Sequence, residues 1–438
     1  MGALGSKKKA PCPQTIINWV TRLSLVRIRS APMVQGLPMT KAPFCNGHIW
    51  MIDMSIGLGT GKILTVLALN AHHHELSPAA PGLQDVHCMA VSVADSWTGE
   101  SIAALLGRLI ASAGRPTAYL KDGGTDLQKA IRLLDEQGPA SPCIDDISHV
   151  IANLLKWWYH DQPNFEAFLS ACGRVSGKLK QTVLACLAPP KVQTKARFMN
   201  VHRLIRWADR LLGLSPTGGA RKESILAKLR ASLDNLPSCR AFIKRFRDDA
   251  VPLLECQRIL KTKGLSRSTI AQCEPYIQAI GSSPVRRKFI AYLEVQLQTA
   301  AKLGLDHIGL PVCSDQIESL FGLGKLHGTG QIKDANRIAL RLPALCGTPT
   351  QSEAEQVLKI SVAEEQQVTG RFTSLVKQRR EVLQHPDRLE SLSTEQAGAH
   401  LELIAGDKNR ENSGEILHLP VPYEEPHGPR LQCQAGYG

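Results

Sequence analysis

An apolar-alternating run covers His48–Ile56, a second run over Ile63–Leu69 alternates small or β-branched residues with leucines, and a third run follows over His87–Val93. Short runs of this kind read as strands. Gly57, Gly59 and Gly61 stand between the first two runs, which makes them a hairpin. The period then lengthens. Over Thr98–Ala113 the residues Ile102, Leu105, Leu106, Leu109 and Ile110 fall on one helical face. A fourth short run, Thr117–Leu120, ends on Asp122 and a Gly-Gly turn, and a second helix covers Thr125–Leu134. Cys143-Ile144 reads as a short fifth strand, and Asp146 as the N-cap of a helix through His149, Ile151, Leu154 and Leu155. The predicted order from His48 is β-β-β-α-β-α, then strand and helix.

Helical spacing dominates 151–312, and strand signals there are weak. Residues 313–345 read as helices returning to the first part, and 346–394 as charged C-terminal helices. From 395 to 438 the chain is polar, holds Gly and Pro, and lacks apolar periodicity, so a disordered tail is expected. Ahead of the first strand, Ile16, Trp19, Val20 and Leu23 have helical spacing, while Asn18 and Arg22 lie elsewhere on the helix surface. Residues 1–28 read either as part of a helix-turn-helix, with Asn18 and Arg22 reaching base edges, or as an ordinary amphipathic helix. Residues 29–47 read as a linker.

Charge sharpens this division. The formal net charge is +13, yet 151–312 alone holds 26 Lys and Arg against 11 Asp and Glu. The remainder is therefore slightly acidic. A basic helical block suits a polyanionic partner such as DNA; it equally suits a helical domain with solvated basic faces. The 12 Cys are scattered with no CxxC pair, which argues against zinc and against a disulfide framework, and for a reducing interior. No run of about 18 apolar residues exists, so no membrane span is expected. The sequence Gly57 to Lys62 fails as a phosphate-binding P-loop because the glycines are too close and Ile63 stands where Ser or Thr is needed. His72–His74 point apart on any regular backbone, which favours a solvated loop over a metal site.

The candidate chemistry lies in carboxylates. Asp53 sits in an apolar strand between Ile52 and Met54, and Asp122 directly follows another strand. Carboxylates on a central sheet are costly unless they hold a cation. Asp122 before Gly-Gly also suits a plain turn. In the later chain Glu318 heads a helical stretch with Ile317, Leu320 and Phe321, and Lys325 lies two turns on along the same face.

This order of elements, with its acids, resembles the ribonuclease-H-like core of DDE transposases. Glu318 and Lys325 are similar to the Glu-Lys half of a signature in one bacterial insertion-sequence group. The Tyr-Arg half is absent: Pro311 and Ser314 stand in its places. Asp146 and His149 resemble an Asp/Cys-x-x-His motif that lies near the active site in several transposase superfamilies; a capped helix with a partly buried His explains them as well. The long stretch between Asp122 and Glu318 resembles the all-helical insertions of hAT-like and Mutator-like transposases.

The resemblance implies an α/β fold: a mixed five-stranded sheet flanked by helices over 48–150, with a basic helical insertion over 151–312. It implies Asp53, Asp122 and Glu318 as catalytic residues and metal ligands, with Mg2+ as cofactor and Mn2+ as substitute. It implies phosphate or base contacts from Lys325, Asn18, Arg22, Arg286, Arg287 and Lys288. Transposon ends and target DNA would be the partners, the enzyme a homo-oligomer, and the location cytoplasmic and nucleoid-associated in a bacterium. Two alternatives stay open: a relative that binds DNA without cutting it, and another ribonuclease-H-like nuclease.

Overall fold

Strand β1 (His48–Met54) lies inside the sheet, with partners of opposite sense on its two sides. It pairs antiparallel with β2 (Lys62–Asn70) and parallel with β4 (Ala118–Lys121). β2 continues antiparallel to β3 (Val86–Ala94), and β4 parallel to β5 (Cys143–Asp145). A sixth strand, β6 (Glu402–Ile404), closes the far edge against β3, giving the order β5-β4-β1-β2-β3-β6. The computed structural model describes residues 10–34, 47–54, 61–191, 197–214, 219–326, 334–370, 375–388 and 400–406. Gly57 and Gly59 of the predicted turn lie outside the described residues, as does most of the predicted tail.

The sheet has six strands among the described residues, and the expectation of five is corrected. β6 falls inside the stretch read as a disordered tail. Three residues are too few to show a period, and their order comes from the free edge of β3. Leu401 and Ile404 are buried there, the Leu401 N–H donates to Asn336 Oδ1 at 2.8 Å, and Arg108 pairs with Glu402 at 3.0 Å.

Alternation along β1 and β4 sends successive side chains to opposite faces. Trp50, Ile52 and Tyr119 enter the core under α3 (Gly99–Ala113) and α4 (Thr125–Glu136). Ile102, Leu105, Leu106 and Leu109 of α3 meet them with Leu127, Ile131 and Leu134 of α4. The cap of α3 is reciprocal: the Ser101 N–H donates to Thr98 Oγ1 and the Thr98 N–H to Ser101 Oγ. A short helix, α2 (His73–Leu76), lies between β2 and β3. The solvated loop expected at His72–His74 is thus corrected: His73 is buried and its Nε2 meets the Ala79 carbonyl at 3.2 Å.

The opposite face, carrying Ile49, Met51, Ala118 and Leu120, is continuous with the core of a helical block. That block comprises α5 (Ile147–Tyr159), α6 (Pro163–Lys180), α7 (Arg197–Gly213), α8 (Ile225–Ser232), α9 (Arg240–Lys263), α10 (Arg267–Ala279) and α11 (Ser283–Lys302). Phe165, Phe168, Phe242, Phe246 and Phe289 form its interior. Asp249, fully buried, accepts from the Tyr159 hydroxyl at 2.5 Å and from the Ser282 hydroxyl at 2.6 Å. The block begins with α5 rather than at 151, and it shares one compact unit with the sheet. The helices α12 (Asp315–Leu326) and α13 (Ala335–Ala339) follow, then α14 (Gln351–Lys359), α15 (Val362–Thr369) and α16 (Leu375–Gln384).

The N-terminal helix α1 spans Pro13–Val34, so it runs through the first part of the predicted linker. It is braced by the C-terminal helices, not by an adjoining helix of its own. Leu25 and Val26 pack on Val357 and Ile360, and buried Arg27 pairs with Glu353 at 2.9 Å and donates to the Ala344 carbonyl at 2.9 Å. Arg29 pairs with Glu364. The first half of the predicted apolar stripe faces outward: Ile16 and Trp19 are more than 40% exposed, beside Leu358 of α14, whereas Val20 and Leu23 are partly buried and Leu23 packs with Leu25 and Val357. No described helix is long and apolar enough to cross a membrane.

Candidate active site

Parallel pairing of β1 with β4 sets Ile52 beside Lys121. One residue further along each chain stand Asp53 and Asp122, so the register brings two carboxylates to adjacent strand ends. Both have the parity of Met51 and Leu120, the face on which α5 lies. The Asp53 Oδ1 accepts from the Met54 N–H at 2.6 Å, and the Asp122 Oδ1 accepts from the Gly124 N–H at 2.9 Å. Asp122 thus initiates the turn into α4 and stands at the strand end next to that of Asp53. A Cβ at Gly124 would lie 2.9 Å from the same Asp122 oxygen, so a larger residue there would displace that carboxylate.

Glu318 arrives from the first turn of α12, half-exposed, with Oε1 3.8 Å from the Nε2 of His149. The four ionisable groups feel one another. Burial raises the Asp53 pKa to about 7, the Asp122 and Glu318 carboxylates add to that rise, and the His149 imidazole opposes it. The Glu318 carboxylate raises His149 to about 9 against the cost of burial, with help from Asp146, Asp122 and Asp53. At neutral pH the site thus holds an imidazolium among carboxylates, one of them poised between its two protonation states.

Asp146 is a fastener of this site. Its Oδ1 caps α5 by accepting from the Ser148 and His149 N–H groups at 2.6 and 3.2 Å. Its Oδ2 accepts from the Ser314 N–H and hydroxyl, both at 2.6 Å, on the segment that opens α12. One buried carboxylate therefore fixes the helix bearing His149 relative to the helix bearing Glu318. Lys261 adds a second tie by gripping both oxygens of Asp315 at 2.8 and 2.6 Å.

Beside the acids opens a cleft of about 410 Å³, lined by Gly123, Gln128, Asp145, His149, Asn153, Trp157 and Lys288. The Lys288 ammonium lies 3.6 Å from the centre of the Trp157 ring. Among the expected DNA contacts, Lys288 is thus at this cleft. Lys325 lies on α12 with its ammonium 5.9 Å from the Phe321 ring centre. Arg286 donates to the Gln278 carbonyl at 3.2 Å, away from the cleft, and Arg287 is exposed on α11. Arg22 is corrected as a base-edge reader, because it is spent on Glu365 at 2.7 Å, with both side chains largely buried. Asn18 accepts from Gln14 Nε2 at 2.7 Å on the same helix.

Several residues escaped the sequence reading. Lys121 is buried at the end of β4 and bonds Asp145 Oδ1 at 3.0 Å. Asn153 lies one turn beyond His149 along α5, a spacing that would have flagged it once His149 was placed. Trp157, which the sequence reads as a core residue or, if exposed, a stacking platform for a base, lies a further turn on and is 48% exposed, so the core reading is corrected. Lys261 and Asp315 carried no signal, since they are far apart in the chain and meet only through α9 and α12.

The site gathers carboxylate oxygens from three elements, and burial keeps one of them, on Asp53, partly protonated near neutral pH. Among the described residues no three His, Cys, Asp or Glu side chains are drawn close enough to hold a metal ion as they stand, and Glu318 is turned to His149. No protein-family model matches the chain, and no curated protein matches it either.

Proposed function

We propose that this chain is a DNA transposase of the DDE type, cleaving and joining phosphodiesters at a ribonuclease-H-like core. One observation carries the reading. Asp53, Asp122 and Glu318 come from two adjacent strand ends and a distant helix, and they are near enough for each neighbour to raise the pKa of Asp53. The assignment of the core rests on the same footing: a hairpin and third strand antiparallel, with two further strands added parallel to the first.

In this reading Asp53, Asp122 and Glu318 would hold Mg2+, or Mn2+ in its place. When bound, the ions would activate an attacking hydroxyl and neutralise the leaving 3′-oxygen. His149 offsets carboxylate repulsion and holds Glu318 near the strand ends. Lys288 and Trp157 border the entrance used by the substrate. Transposon ends and target DNA are the partners the reading implies, with a homo-oligomer as the working form. A relative that binds DNA without cutting it is favoured by the pairing of Glu318 with His149.

The test is Mg2+-dependent nicking of plasmid DNA carrying candidate inverted repeats. Asp53→Asn, Asp122→Asn and Glu318→Gln should each lower cleavage at least about a hundredfold while DNA binding persists. Undiminished cleavage by Asp53→Asn would overturn the catalytic assignment.

A further inference from the structure

Helix α7 carries a second constellation, apart from the acidic cleft. Arg203, Arg206 and Arg210 are all exposed, and they line one hollow of about 310 Å³ with Trp207, Leu211 and Leu187. Among the described residues no hydrogen bond or ion pair engages the three guanidinium groups. The nearest acid on the helix, Asp209, is taken by Arg247 at 2.7 Å. The neighbouring segments 192–196 and 215–218 contain no Asp or Glu in their sequence. The field is felt locally: burial lowers the His202 pKa, and Arg206 and Arg203 lower it further.

Three uncompensated like charges on one helix face repel one another. The row spans about 10 Å along the helix, long enough for the three guanidinium groups to meet successive phosphates of one strand. The floor is different in kind. Trp207 is half-buried, and its indole is fixed by donation from Nε1 to the Leu187 carbonyl at 2.8 Å. A ring held this way, inside a hollow rimmed by arginines, suits a base face with its phosphates at the rim. A duplex, with its bases stacked inside, cannot enter it.

We propose that this face of α7 binds single-stranded nucleic acid, with phosphates on Arg203, Arg206 and Arg210 and a base against Trp207. The choice of a polynucleotide over another polyanion rests on the proposed function. The site itself requires no metal.

The test is fluorescence anisotropy with the full chain and labelled oligo(dT), in EDTA, over a series of salt concentrations. The Arg203→Gln/Arg206→Gln/Arg210→Gln variant should bind roughly 10- to 100-fold more weakly, with the salt slope reduced by about 2. A control with the same charge loss, Arg108→Gln/Arg132→Gln/Arg258→Gln, should bind as the native chain does. Trp207→Phe should keep the fold and lose part of the fluorescence quenching by bound oligo(dT). Unchanged affinity and slope in the α7 variant overturn the proposal. So does an equal loss on a duplex of the same length, or binding to anionic lipid vesicles in preference to oligo(dT). Because the assay contains no metal, its outcome is separate from the cleavage test. Absent cleavage with retained α7-dependent binding sinks only the transposase reading, whereas metal-dependent cleavage with an indifferent α7 variant sinks only this one.

Discussion

At the residue scale, Asp146 shows how one side chain can organise a site without reacting in it. It is buried and accepts four hydrogen bonds, two from the start of α5 and two from Ser314. Asp146→Ala should cost about 3 kcal/mol of stability, read from the midpoint of urea unfolding. It should also reduce any activity that depends on Glu318, since the two helices lose their common anchor. Asp146→Asn should fall between, because it keeps the cap but sets an amide N–H against the Ser314 N–H. Its sequence context had announced the cap, and a plain capped helix would look the same. The bond to Ser314 was invisible, because nothing in a linear chain ties 146 to 314.

At the scale of elements, α1 shows a helix whose sequence pattern marks one face along its N-terminal half, while its packing encloses the next stretch on all sides. Ile16, Trp19, Val20 and Leu23 form the regular stripe, yet the deeply buried positions are Ser24, Leu25, Val26, Arg27 and Ile28. A charged residue in that set hides the buried face from any reading by hydropathy. Arg27 is admitted to the interior because Glu353 and two main-chain carbonyls satisfy its guanidinium. Arg27→Ala should destabilise by about 3 kcal/mol, since it leaves those acceptors without their donor. Glu353→Gln should cost less, being nearer the surface. Thermal unfolding with hydrogen exchange of the α1 amides would check both, with faster exchange expected along α1 in the first variant.

At the scale of the whole molecule, sheet and helical block share an interior, and the histidines dispersed through it set a common response to acid. Burial holds His48 and His74 at about 4, and lowers His87 and His202 as well. Each is depressed below its value in the unfolded chain, so below pH of about 6.5 the unfolded state binds more protons and stability falls with pH. The stabilisation is fully present above that value and is lost as pH drops towards about 4, with at most about 3 kcal/mol at stake for each of His48 and His74. The raised Asp53 carboxyl works in the opposite direction over this range, since its folded form holds a proton that the unfolded chain has lost. The His48 contribution is therefore read as the difference between His48→Gln and the native chain in denaturant unfolding from pH 7 to 4, and a difference that stayed constant with pH would contradict the burial assigned to this ring.

The sequence by itself determined the elements whose signal is local. The short runs of β1, β2 and β3, helical spacing in α3 and α4, the cap at Asp146 and the acids at Asp53 and Asp122 were all legible, because short runs and a period of 3.6 residues are written in neighbouring positions. Tertiary structure decided everything that depends on partners distant in the chain. It added β6 to the edge of β3, extended α1 and consumed Arg22 on Glu365. It brought Lys261 to Asp315, and it turned Glu318 towards His149. The physical reason is common to all five. A short edge strand, a buried ion pair and an interhelical contact take their free energy from groups that the sequence separates and only the packed fold brings together.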